Sequence, residues 1–237
     1  MDGLRWPALR GLLAEVLFPG RCLGCGEWLL LQSDHEVPVC RDCLQLIPAM
    51  SEPRCTRCGI ELISEIETCL RCRSTDYRFH SHRSLFPYTG MAKRLLQSLK
   101  FGGRRRLARF FASRLACSIA HRGDERVIVP VPPRPRRKAP DGVELIARKL
   151  ESVHGFRVMR LLQRSASTQQ KSLDYEQRRQ NLRGGIRVNP RFHGPLPVDV
   201  ILLDDVFTTG ATLDACAQVL RDAGCREVDA VTIVMEE

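Results

Sequence analysis

Eight of the eleven cysteines in this 237-residue chain fall in four C-x-x-C pairs between residues 22 and 72: Cys22/Cys25 (CLGC), Cys40/Cys43 (CRDC), Cys55/Cys58 (CTRC) and Cys69/Cys72 (CLRC). The gaps between successive pairs are 14, 11 and 10 residues. A two-residue spacer in a tight knuckle lets both thiolates point at one tetrahedral ion. Gly26 and Gly59, each directly after a second cysteine, permit the turn that aims backbone amides at the sulfurs. The pattern predicts a double zinc ribbon holding two structural zinc ions. Sequential partition puts Cys22, Cys25, Cys40 and Cys43 on one ion and Cys55, Cys58, Cys69 and Cys72 on the other; interleaved pairing satisfies the spacing too. Disulfides would need an oxidising compartment. A redox pair would need a βαβ setting that these cysteines lack, and an iron–sulfur cluster suits paired knuckles less well than separate ions do. All-cysteine sites leave no open ligand position, so no metal-dependent chemistry is expected at them. His35, His80 and His82 read as surface residues, and Cys117, Cys216 and Cys225 as core thiols.

The chain has room for one main domain and a small second one. We expect residues 1–80 to hold an N-terminal helix and the ribbons, and 81–237 an α/β domain. No apolar run reaches the ~18–20 residues of a membrane span. In MDGLRWPALRGLLAEVLFPG, Glu15 interrupts the apolar stretch and no small-residue cleavage signature follows, so a cytoplasmic protein is expected.

The net charge of +10 is partitioned: −2 over residues 1–80, +19 over 81–195 and −7 over 196–237. In the middle block Arg outnumbers Lys 21 to 5, which suits bidentate contacts to a polyanion or a phosphate-rich ligand. Residues 91–120 read as two amphipathic helices broken at Gly102-Gly103. Lys93, Arg94, Lys100, Arg104, Arg105, Arg106 and Arg109 form a basic strip around that break. VIVPVP, 127–132, reads as a short strand. PRPRRKAPDG then supplies a basic loop with Arg134, Arg136 and Arg137, and 142–155 reads as a helix. This strand, loop and helix order presents amides and guanidinium groups to a phosphate. Residues 155–164 read as a further strand, 165–185 as a polar loop running into a short helix, and 186–189 as a strand.

Near the C-terminus, DVILLDDVFTTGAT carries four successive apolar residues, Val200 to Leu203, the mark of a strand buried on both faces. Asp204 and Asp205 follow, then a loop read over 206–211. A helix over 212–224 and a strand over 228–235 complete a βαβ unit, whose ligands sit beyond the carboxyl ends of the strands. Acceptor-only carboxylates suit vicinal sugar hydroxyls, and a Thr-Thr-Gly loop at a helix N-terminus suits a phosphate monoester. Together they suggest a ribose 5-phosphate. The chain contains no Gly-Lys dipeptide and therefore no P-loop.

VILLDDVFTTGAT resembles the phosphoribosyl pyrophosphate (PRPP) signature of type I phosphoribosyltransferases, with Phe207 where a smaller aliphatic is usual. With YTGMAKRLLQSLKFGGRRRLA, VIVPVPPRPRR, LQRSASTQQKSLDYEQRRQNLRGGIRV and the cysteine pairs in order, nearly the whole chain resembles the ComF family (ComFC- and GntX-like proteins). The resemblance implies a type I phosphoribosyltransferase-like parallel sheet with helices on both faces, plus the N-terminal zinc ribbons. It implies PRPP or ribose-5-phosphate contacts, with Mg²⁺, from Asp204, Asp205, Thr208, Thr209, Gly210 and Thr212. It implies a pyrophosphate loop at Val131-Pro132-Pro133-Arg134, and a catalytic-loop region with Arg164, Thr168, Gln169, Arg178 and Asn181. Arg134, Arg164, Gln169 and Arg178 are the candidate catalytic residues. The family's Arg-Gly-Phe-Asn-Gln element is replaced here by APDGVEL at 139–145. The implied roles are phosphoribosyl transfer within DNA uptake or DNA utilisation, alongside the uptake machinery. The alternative is a non-catalytic accessory that binds single-stranded DNA through Lys100, Arg104, Arg105, Arg106, Arg136 and Arg137 and keeps a vestigial PRPP site.

Overall fold

The unbroken apolar run from Val200 to Leu203 does occupy the middle of a strand covered on both sides. A computed structural model describes residues 21–29, 38–63, 67–101, 106–120, 126–133, 141–164 and 185–236. Numbered along these residues, the strands are β1 (His82–Pro87), β2 (Val127–Pro130), β3 (Leu162–Arg164), β4 (Ile186–Val188), β5 (Asp199–Phe207) and β6 (Glu227–Met235). The helices are α1 (Arg41–Gln45), α2 (Leu70–Ser74), α3 (Gly90–Phe101), α4 (Arg106–Ala120), α5 (Gly142–His154) and α6 (Ala211–Asp222). Four strands form a parallel sheet in the order β1-β6-β5-β2, while β3 and β4 form a separate antiparallel pair.

Because successive strand side chains point to opposite faces, β5 feeds two separate cores. Ile201 and Leu203 pack with Leu95 and Leu99 of α3, Phe111 and Leu115 of α4, and Ile146 and Leu150 of α5. Val200 and Leu202 pack on the other side with Leu213, Cys216 and Leu220 of α6. The parallel sheet with helices on both faces and the two four-cysteine clusters fit an α/β fold with a zinc ribbon. Helix α5 starts where Asp141 caps the amide of Val143 at 2.8 Å, and it stops at Gly155, whose φ of 72° closes a left-handed cap. No helix among the described residues is long and apolar enough to cross a membrane.

Several local expectations are corrected. β5 runs two residues past the carboxylate pair, because β6 continues beside it and pairs Val206 with Val234 and Phe207 with Met235. The strand expected over 155–164 shrinks to one bridge, Ile128 with Val158, followed by β3. His82 is fully buried rather than on the surface, and Cys117 is exposed on α4 rather than in the core. The expected N-terminal helix, His35, the Gly102-Gly103 break and all but the last residue of the polar loop expected over 165–185 lie outside the described residues.

Candidate functional site

The two ribbons repeat one design. In each, a bridge closes a knuckle, Arg21 with Trp28 and Arg54 with Glu61, and a positive-φ glycine follows the second cysteine (Gly26, φ 82°; Gly59, φ 74°). The third cysteine of each set, Cys40 or Cys69, precedes a one-turn helix, α1 or α2, in matching backbone conformation. Its amide donates to the first sulfur, Cys40 N to Cys22 Sγ at 3.2 Å and Cys69 N to Cys55 Sγ at 3.4 Å. The pairing is sequential: Cys22, Cys25, Cys40 and Cys43 converge, as do Cys55, Cys58, Cys69 and Cys72, with all sulfurs of a set within 4.8 Å. The edge of a tetrahedron with ~2.3 Å zinc–sulfur bonds is about 3.8 Å. Cys25 and Cys40 sulfurs stand 3.8 Å apart, and Cys58 and Cys69 sulfurs 3.6 Å, far longer than a disulfide bond. Burial pushes the Cys22 and Cys55 thiols up, but the surrounding amides outweigh it and leave both at about 6. The donor sets therefore support two structural zinc ions.

At the carboxyl end of β5 the two carboxylates part company, as strand alternation requires. Asp205 turns to the α3 side, where Lys100 Nζ stands 2.7 Å from its Oδ2 with both side chains 16% exposed. Lys100, read from sequence as part of a basic strip and a candidate DNA contact, thus reaches the carboxylate pair instead. Asp204 instead lines a pocket with residues 206–213. Its Oδ1 accepts from the Asp205 amide at 2.8 Å. Burial first, and the Asp205 charge second, push the Asp204 carboxyl up to about 7, against the pull of that amide, Lys100 and Arg164. Arg164, at the end of β3, donates through Nε to the Pro132 carbonyl at 3.0 Å. Val131 is held to β5 by its amide, 2.9 Å from the Leu203 carbonyl. Asp204, Asp205, Arg164 and the Val131-Pro132 segment thus meet at one end of the sheet with a lysine that sequence reasoning had placed elsewhere.

The loop Thr208-Thr209-Gly210 turns directly into α6, which places the positive end of a 12-residue helix at the pocket. Gly210 has φ 75°, and a Cβ there would meet the Phe207 ring at 2.9 Å and the Tyr77 ring at 3.1 Å. Gly210→Ala is therefore expected to destabilise the protein by about 1–3 kcal/mol, from left-handed backbone strain plus the clash. Thermal unfolding checks this, and an unchanged melting temperature would show that the loop relaxes freely.

Arg106 is exposed at the start of α4. Arg104, Arg105, Arg134, Arg136, Arg137, Thr168, Gln169, Arg178 and Asn181 lie outside the described residues. Sequence reasoning missed a second layer of contacts. Arg71 Nη1 donates to the Thr208 carbonyl at 3.1 Å, and Tyr77 OH donates to the Thr209 carbonyl at 2.8 Å. These pairs are separated by 137 and 132 residues, so no local pattern announces them.

The Double zinc ribbon domain family matches residues 13–73. The chain is 26% identical over 225 residues to competence protein ComFC of Streptococcus pneumoniae, covering 90% of this chain and 99% of that one. It is 24% identical over 205 residues to competence protein ComFC of Bacillus subtilis, covering 82% of each. Among solved structures it is similar to a hypoxanthine phosphoribosyltransferase from Staphylococcus aureus, with 13% identity and a TM-score of 0.36 over 54% of this chain and 62% of that one. It is also similar to an APRTase from Giardia lamblia complexed with 9-deazaadenine, with 19% identity and a TM-score of 0.35 over 60% of this chain and 83% of that one.

Proposed function

The double zinc ribbon and the two ComFC relatives support assignment of this chain to the ComF family, and on that assignment we propose that it binds PRPP with Mg²⁺ and serves DNA uptake or DNA utilisation in natural transformation, in the cytoplasm. One observation carries the ligand reading: the Asp204 carboxylate and the loop at the N-terminus of α6 line the same pocket. In this reading the amides of 208–213 and the hydroxyls of Thr208, Thr209 and Thr212 hold the 5-phosphate. Asp204 accepts from the ribose hydroxyls, and Asp205, now paired with Lys100, would be the carboxylate to hold Mg²⁺ or accept from a ligand hydroxyl. Lys100 and Arg164 then face the pyrophosphate, where cations stabilise a leaving group as charge develops. Mg²⁺ supplies further neutralisation of that group. Phosphoribosyl transfer is the reaction class this arrangement suits. Competition between Mg·PRPP and ribose 5-phosphate tests the assignment. We expect ribose 5-phosphate to displace PRPP; displacement by inorganic pyrophosphate alone would remove the ribose from the account.

The +19 middle block favours a second activity, binding of single-stranded DNA. Because Lys100 is committed to the carboxylate site, that activity falls to Arg104, Arg105, Arg106, Arg134, Arg136 and Arg137. Replacing Arg104, Arg105 and Arg106 by Ala is expected to weaken single-strand binding at least tenfold at moderate salt. It should also flatten the slope of log affinity against log salt by about 2, since each lost phosphate contact on a single strand removes ~0.7. Anisotropy titrations at several salt concentrations measure both, and an unchanged slope would place the DNA elsewhere.

A further inference from the structure

Among the described residues, the second ribbon is joined to the phosphate loop by hydrogen bonds and the first is not. Cys22 and Cys43 belong to the core on the α3 side of the sheet, where Gly24 packs against Met91. Cys55 and Cys58 belong to the core on the α6 side, together with Tyr77, Phe79 and Phe207. From there the ribbon reaches the loop along three routes. Arg71, inside the Cys69–Cys72 knuckle, donates to the Thr208 carbonyl, and Tyr77 donates to the Thr209 carbonyl. The backbone amide of Arg78 donates to Asp214 Oδ1 at 2.7 Å in the first turn of α6, where Asp214 is 1% exposed. Between ribbon and strand, His82 Nδ1 donates to the Cys58 carbonyl at 2.7 Å, and its ring stacks on Phe207 with centroids 4.1 Å apart.

A phosphate cradle made of backbone amides works only if its peptide planes are fixed before the ligand arrives. Each carbonyl held from behind orients the amide of the next residue: Thr208 sets the amide of Thr209, and Thr209 sets that of Gly210. We propose that Arg71 and Tyr77 are positioning residues of the phosphate loop, through which the integrity of the Cys55/Cys58/Cys69/Cys72 cluster, and not of the first cluster, sets the affinity for the 5-phosphate. The claim rests on reading residues 208–213 as a phosphate cradle. The second ribbon then backs the phosphate loop, and loss of its metal frees the Thr208 and Thr209 peptide planes and weakens binding.

The test uses full-length, zinc-loaded protein carrying Arg71→Met, Tyr77→Phe or both, with zinc content measured for each. Tyr77→Phe keeps the ring that stacks on Phe79 at 4.6 Å and removes only the hydroxyl. Two readouts are taken: Mg·PRPP affinity by calorimetry, and hydrogen exchange of the 208–213 amides in the ligand-free protein. We expect each variant to keep two zinc ions, to bind about threefold to tenfold more weakly, and to exchange faster across the loop, since each loses one net hydrogen bond to a carbonyl. Arg71→Lys, which keeps a donor, is expected to recover most of the affinity. Unchanged exchange in the double variant overturns the positioning role whether or not PRPP binds. Failure of the wild type to bind PRPP, with loop exchange still rising in the double variant, overturns the ligand reading alone. A Cys25→Ser variant that weakened PRPP as much as Cys72→Ser would also overturn the proposal, because both ribbons would then act alike.

Discussion

Ligand-free protein carrying Asp204→Asn is expected to melt higher than wild type at pH 8, and to lose its phosphoribosyl ligand. The carboxyl of Asp204 is raised from an ordinary 3.8 to about 7, chiefly by burial and then by Asp205. A carboxyl that titrates higher in the folded state than in the unfolded chain holds its proton more tightly when folded. Stability therefore falls as pH rises from about 4 to about 7, and the full cost persists above 7. Asn keeps the acceptor for the Asp205 amide, which Asp204 Oδ1 engages at 2.8 Å, without the charge. We expect a gain on the order of 2–4 kcal/mol at pH 8, or roughly 5–10 °C in Tm for a chain of this size, fading as pH approaches 4. Asp205→Asn is expected to act with the opposite sign, because it leaves the mostly buried Lys100 ammonium without its carboxylate at 2.7 Å. A pH series of melting curves on the two single variants measures this. Equal destabilisation by both would mean that Asp204 is an ordinary structural acid.

The second large effect concerns the cysteine clusters. Their sulfurs stand at tetrahedral-edge spacing, and the amides of Cys40 and Cys69 are aimed at the first sulfur of each set. Structural zinc in all-cysteine sites contributes on the order of 10 kcal/mol of folding free energy. Native protein is expected to carry two zinc ions, and a strong chelator is expected to unfold both ribbons. Because Cys22 and Cys43 join one core and Cys55 and Cys58 the other, their loss would open both faces of the sheet and lower the melting temperature of the whole protein. Melting curves before and after chelation, with zinc counted, provide the check. A chelated protein with an unchanged transition would contradict the structural role.

The parts of this molecule that a sequence announces are the ones governed by short-range rules. Gly26 and Gly59 follow from the knuckle geometry, and Val200 to Leu203 from burial on both faces. What stayed hidden depends on partners far away in the chain. β5 extends through Phe207 only because β6 is there to pair with it. Lys100 looks like one more cation of a basic strip until α3 is laid beside the end of β5. His82 looks like a surface histidine, yet burial holds it near pKa 3, hence neutral, with one nitrogen on the Cys58 carbonyl. Of the candidate site, the carboxylates and the Thr-Thr-Gly loop could be read directly. Their support by Arg71 and Tyr77 could not.

The most direct test of the account is a calorimetric titration of Mg·PRPP into zinc-loaded wild type and into the Asp204→Asn/Asp205→Asn variant at pH 8. One site per chain is expected in the wild type and no measurable heat of binding in the folded variant. Equal binding to both proteins, or none to the wild type, would contradict it.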